Sequence, residues 1–253
     1  MSPFDEPGAV APAWMLEIPL AHRGLHGDGV PENSLAAFAA AVDSGYGVEL
    51  DVHLSADGVP VVVHDATLER IAGTDAAVAS LTVEQLAEVR LGGTSEHLPT
   101  LQQALEVIGD APVMLELKTN RLRAGPLEAA VAELVEAHPG PSCVGSFNPV
   151  PLRWFRRNQP TTLRVQTAMA DGISGLASPL LRRLADLRDL DSVAPAMVSY
   201  HIHGLPRPAV DAWRERGGPV TTWTVDDDAT LRKAATVADN VIFENVRPPT
   251  PMS

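Results

Sequence analysis

Between Val48 and Leu54 apolar and polar side chains alternate strictly. The pattern predicts a strand with Glu49, Asp51 and His53 on one face and Val48, Leu50, Val52 and Leu54 on the other. Two carboxylates on one strand face repel each other, and water or a cation between them relieves that repulsion. Asp57-Gly58 signals a turn, and too few residues separate Leu54 from Val61 for the helical return of a parallel partner. The run at 59–63 therefore doubles back as an antiparallel arm, which brings His64 to about the level of Asp51. An imidazole beside two carboxylates is a candidate reaction centre, with an ordinary surface hairpin as the competing reading.

The rest of the chain alternates strands with helices. A short strand at 18–22 ends in His22-Arg23-Gly24, and Asn33 or Ser34 caps a helix that stops near Gly45. Helices at 100–108, 126–137, 149–157, 179–188, 208–216 and 227–235 alternate with strands at 113–117, 143–146, 162–166, 192–195, 220–224 and 241–243. Within the irregular stretch 65–99, Thr82 followed by Gln85 marks a short capped helix. Gly204 and Pro206 put His201 and His203 in a loop, and the acidic run 226–228 reads as helix cap and dipole residues.

With the arm set aside, eight strands remain, and each successive pair has room for a helix between them. The expected fold is α/β: a (β/α)8 TIM barrel with an antiparallel hairpin arm and a small insertion after strand 2. The expected layout is a leader over 1–17, a barrel domain over 18–247 that includes the insertion 65–99, and a tail over 248–253.

A length of 253 residues suits one such domain, and a 45% hydrophobic content supplies its core. The 19 basic against 32 acidic residues leave a net charge of −13, which offers no basic field to a nucleic acid. A small phosphate ester is still compatible where a few cations and a metal dominate locally. Cys143 is the only cysteine, so neither a disulfide framework nor a cysteine metal knuckle is available. No basic start leads into a long apolar run, and no segment suits a membrane span, so a cytoplasmic location is expected.

In a barrel of this kind the C-terminal strand ends face the reaction side. His22 and Arg23 end strand one, Glu49 and Asp51 lie near the end of strand two, and Glu116 and Lys118 lie near the end of strand three. Glu49, Asp51 and Glu116 make an all-oxygen set that suits one divalent cation, Mg2+ or Ca2+; the competing reading is an acid group balanced by Arg23 and Lys118. Arg23 offers a planar fork and Lys118 a compact charge, both suited to phosphate oxygens. His22 and His64 suit proton transfer near neutral pH.

The ordered set His22-Arg23-Gly24, Pro31-Glu32-Asn33-Ser34, Glu49-Leu50-Asp51, Ser55-Ala56-Asp57-Gly58, His64-Asp65 with Leu68 and Arg70, Glu116-Leu117-Lys118, Ser146-Phe147-Asn148 and Trp223-Thr224-Val225 resembles the bacterial glycerophosphodiester phosphodiesterase family. The resemblance runs over about residues 18–247. It implies a barrel in which Glu49, Asp51 and Glu116 hold a divalent ion and His22 and His64 form the acid/base pair. It further implies that Arg23 and Lys118 contact phosphate, that Trp223 lies near the alcohol portion, and that Glu32 and Asn33 support the site. The implied reaction converts a glycerophosphodiester and water to glycerol 3-phosphate and an alcohol. Lysophospholipid cleavage and noncatalytic binding of a phosphate ester are the alternatives.

Overall fold

The computed structural model describes residues 6, 8–119, 121–170 and 179–250. Parts of the expected leader (1–5 and 7) and tail (251–253) lie outside the described residues. The strands are β1 Leu20–His22, β2 Gly47–Leu54, β3 Pro60–Val62, β4 Val113–Leu117, β5 Ser142–Ser146, β6 Leu163–Ala168, β7 Met197–His201, β8 Val220–Val225 and β9 Asn240–Phe243. Their order is β1-β9-β8-β7-β6-β5-β4-β2-β3, with β1 also paired to β2. Eight parallel strands thus close into a ring with helices between them, a (β/α)8 barrel, and β3 is bonded outside it. The chain forms two compact units, Leu20–Ser142 and the remainder.

In the unit Leu20–Ser142, β2 is the organising strand. Its residues Gly47 to Val52 are buried, as expected for a strand covered on both faces. Parallel registers set His22 opposite Glu49 and Glu116 opposite Asp51. The arm returns as expected: Val52 pairs with Val62 and His53 with Val61, and the Val63 amide donates to the Asp51 carbonyl at 3.0 Å, so His64 follows directly. Gly58 closes the turn at φ 86°, which a side chain rarely adopts. Ser34 caps the helix Leu35–Asp43 by accepting from the Ala37 amide.

The stretch after the arm builds a small core of its own. Leu68, Val78, Leu86, Leu91 and Leu98 pack with Val61 and Val63 of the arm. Thr82 and Gln85 form the expected capping box on the helix Val83–Ala87.

In the second unit, helices Pro149–Asn158, Pro179–Ala185, Pro208–Glu215 and Asp228–Val237 alternate with β5 to β9. Asp227 caps the last of these by accepting from the Thr230 amide at 2.7 Å. Met15 of the short helix Ala13–Glu17 is buried, and Asn240 Nδ2 donates to the carbonyls of Met15 and Ile18.

The expected strand at 192–195 is displaced. Leu190–Val193 is a helical turn, Ala194 takes a left-handed φ of 47°, and the strand is β7 at Met197–His201. The apolar run through this region gives no alternation to separate a helix end from a buried strand. What pins the turn is Arg164, fully buried on β6, whose guanidinium donates to the Val193 and Ala194 carbonyls at 3.0 and 2.9 Å. Burial, with Arg156 nearby, lowers its pKa to about 10. His201 accordingly ends a strand and does not lie in a loop.

Candidate active site

Glu49 and Asp51 project from β2, and Glu116 from β4 beside it. All three are buried, and one carboxylate oxygen of each lies within 4.8 Å of the others. Lys118 Nζ bridges two of them, at 2.9 Å from Asp51 Oδ1 and 2.6 Å from Glu116 Oε1. Arg23 meets the same carboxylates, its backbone amide donating to Glu49 Oε2 at 3.1 Å and its Nε 3.3 Å from Asp51 Oδ2. That Nε is buried and has no hydrogen-bond partner among the described residues. Asn33 Nδ2 donates to Asp51 Oδ2 at 2.8 Å.

The charges do not share the burden equally. Burial pushes Asp51 up, but Lys118 and Arg23, with His64 and His22, hold it well below the usual carboxylate range. Burial, then Asp51 and Glu116, drives Glu49 well above that range. Lys118 and Arg23 are raised despite burial, Lys118 by Asp51 and Glu116 and Arg23 by Asp51, Glu32 and Glu49. Two cations therefore satisfy Asp51 and leave Glu49 short of positive charge. A hard cation among these all-oxygen ligands would supply it, and the three buried carboxylates Glu49, Asp51 and Glu116 fit one divalent ion.

His64 follows the arm, and its Nδ1 lies 2.7 Å from Asp65 Oδ1. Burial lowers its pKa, and Lys118 and Arg23 add to that effect while Asp51 and Asp65 oppose it. His53, expected on the carboxylate face, lies with Nε2 3.1 Å from the His64 carbonyl. A cavity of about 520 Å³ opens beside His64 and Lys118 and is lined also by His53, Thr119, Arg121 and Pro126.

Nine of the ten expected site residues, His22, Arg23, Glu32, Asn33, Glu49, Asp51, His64, Glu116 and Lys118, fall in the unit Leu20–Ser142. Trp223 belongs to the other unit, where its ring lies 4.9 Å from His201 and 5.4 Å from Phe147.

The glycerophosphoryl diester phosphodiesterase family description matches residues 22–246. The chain belongs to this family. It is 30% identical over 221 residues to the probable glycerophosphodiester phosphodiesterase 2 of Mycobacterium tuberculosis, covering 83% of this chain and 80% of that protein. It is 32% identical over 157 residues to the glycerophosphodiester phosphodiesterase of Caldanaerobacter subterraneus, covering 58% of this chain and 64% of that one, so this match spans just under two thirds of the relative. Its fold is similar to that of an Oleispira antarctica phosphodiesterase solved with the product sn-glycerol-3-phosphate. The TM-score is 0.78 at 25% identity, covering 97% of this chain and 96% of that one.

Within this family member, the His22-Arg23-Gly24 corner depends on its glycine. Gly24 has φ 80°, and a Cβ there would lie 2.8 Å from the Ala37 backbone. Gly24→Ala is expected to cost about 1–3 kcal/mol, read as a lower midpoint in urea unfolding.

Asp65 and Arg70 lie within the sequence motifs, which carry no role for either. Arg70 reaches Glu32 across 38 positions, at 2.9 and 2.7 Å. The 38 positions between the two residues leave no local spacing that signals this contact.

Proposed function

We propose that this protein hydrolyses a small glycerophosphodiester to glycerol 3-phosphate and an alcohol at the site built on Glu49, Asp51 and Glu116. The observation that carries the reading is the buried triad of carboxylates flanked by Lys118 and Arg23, in a chain of the phosphodiesterase family.

Glu49, Asp51 and Glu116 would hold one Mg2+ or Ca2+. A bound ion of that kind neutralises phosphate charge and favours the attacking oxygen. Arg23 brings a guanidinium beside Asp51 and Lys118 an ammonium held charged, so both serve phosphate oxygens as negative charge builds on them. One of His22 and His64 takes a proton from the attacking oxygen as the new bond to phosphorus forms. The other gives a proton to the alcohol oxygen as the old bond breaks. Glu32 accepts from Arg23 Nη1 at 2.8 Å, and Asn33 steadies Asp51, so both support the site. Trp223 is assigned to the alcohol portion of the substrate from the family resemblance.

The test measures release of the free alcohol, paired with glycerol 3-phosphate from small glycerophosphodiesters or with acylated glycerol 3-phosphate from lysophospholipids, in the presence of Mg2+, of Ca2+ and of chelator. Turnover of the small diesters that chelator removes and either ion restores is the expected result. Binding without turnover by folded protein would favour a noncatalytic module, and turnover confined to lysophospholipids would move the substrate class.

A further inference from the structure

We propose that Arg70 is a positioning residue: with Asp65 it fixes the tautomer and direction of His64, and through Glu32 it ties that imidazole to Arg23. This rests on the hydrolytic reading of the site given above.

One guanidinium uses all three of its nitrogens. Arg70 Nε donates to Asp65 Oδ2 at 2.6 Å, Nη1 to Glu32 Oε2 at 2.9 Å and Nη2 to Glu32 Oε1 at 2.7 Å. The other oxygen of Asp65 meets His64 Nδ1 at 2.7 Å. Glu32 Oε1 also accepts from Arg23 Nη1 at 2.8 Å. An unbroken set of charged hydrogen bonds therefore runs from Arg23 through Glu32, Arg70 and Asp65 to His64.

A neutral imidazole carries one N–H. A carboxylate can only accept, so Asp65 keeps that proton on Nδ1 and leaves Nε2 as the nitrogen that meets substrate. Asp65 is the next residue in the chain and its side chain is 29% exposed, so on its own it would be a loose guide. Arg70 takes its second oxygen and removes that freedom. The Arg70 side chain is 49% exposed, where ion pairs add little to stability, so what the contact supplies is direction. Arg70 itself lies on the helix Glu69–Ala72, which follows Leu68 in the small core after the arm. A lysine in its place would keep the charge but could not make the three-way fork.

The experiment is nitrogen-15 NMR of the His64 ring together with steady-state kinetics, on the parent protein and on Asp65→Asn, Arg70→Gln and Arg70→Lys. In the parent, His64 is expected as the Nδ1–H tautomer. In each variant the ring signals should move toward a tautomer mixture, with kcat down about 10- to 100-fold and KM for a small glycerophosphodiester nearly unchanged. Arg70→Lys gives a second reading if Arg70→Gln does not fold. Ring signals identical to the parent in the folded variants would overturn the proposal, as would full kcat in Arg70→Lys. A parent that turns over nothing while the ring signals still shift would sink the hydrolytic reading and leave the positioning contact standing.

Discussion

Asp51→Ala is expected to lower kcat/KM by about 10³-fold or more while the protein stays folded. The residue has four roles in a small space: it belongs to the carboxylate triad, pairs with Lys118 at 2.9 Å, faces Arg23 Nε at 3.3 Å and accepts from Asn33 at 2.8 Å. Losing several kcal/mol of charge stabilisation at the phosphate corresponds to about that fall in rate, since each 1.4 kcal/mol or so is tenfold. The fold should survive because the substitution also removes a repulsion. Asp51 and Glu116 both drive Glu49 upward, and without Asp51 that buried acid loses the stronger of these two repulsions. Lys118 keeps Glu116 at 2.6 Å, and Arg23 keeps Glu32 at 2.8 Å. The measurement is coupled detection of glycerol 3-phosphate at saturating metal, beside a thermal melt. Activity within tenfold of the parent, in a folded variant, would remove Asp51 from the reaction.

What the sequence allowed to be read, and what it did not, divides along the line between local and distant contacts. Glu49 and Asp51 were legible as a pair because two-residue spacing on one strand is local, and so were Glu116 and Lys118. That Glu116 stands opposite Asp51, and His22 opposite Glu49, is set by strand register, which depends on how separate segments pack. The arm was legible because its turn and length leave little choice; the bond that fixes its level, from the Val63 amide to the Asp51 carbonyl, is what the structure adds. The true place of β7 was not, since the decisive partner of the turn before it is a guanidinium from β6. Charge distribution was likewise hidden. Equal-looking acids diverge because Arg23 and Lys118 converge on Asp51, leaving Glu49 with the cost of burial.

His22→Ala and His64→Ala are each expected to lower kcat by about 10²- to 10⁴-fold, and the double variant should be little worse than the poorer single one. The two imidazoles reach the site from different segments, His22 from the end of β1 and His64 from the end of the arm, yet the charges of both bear on Asp51. If one accepts a proton and the other donates one within a single displacement, removing either disables the same event, so the losses do not add. The leaving group separates the roles. An alcohol needs a proton as its bond to phosphorus breaks, whereas an activated aryl alcohol departs as a stable anion. With an aryl diester, the variant that lacks the acid should recover most of its loss, and the variant that lacks the base should not. Comparing both variants on an alkyl and an aryl diester, at saturating metal, therefore assigns the two histidines. Equal losses on both substrates for both variants would mean that neither protonates the departing oxygen, and the acid would have to be sought among other groups that line the cavity beside His64 and Lys118.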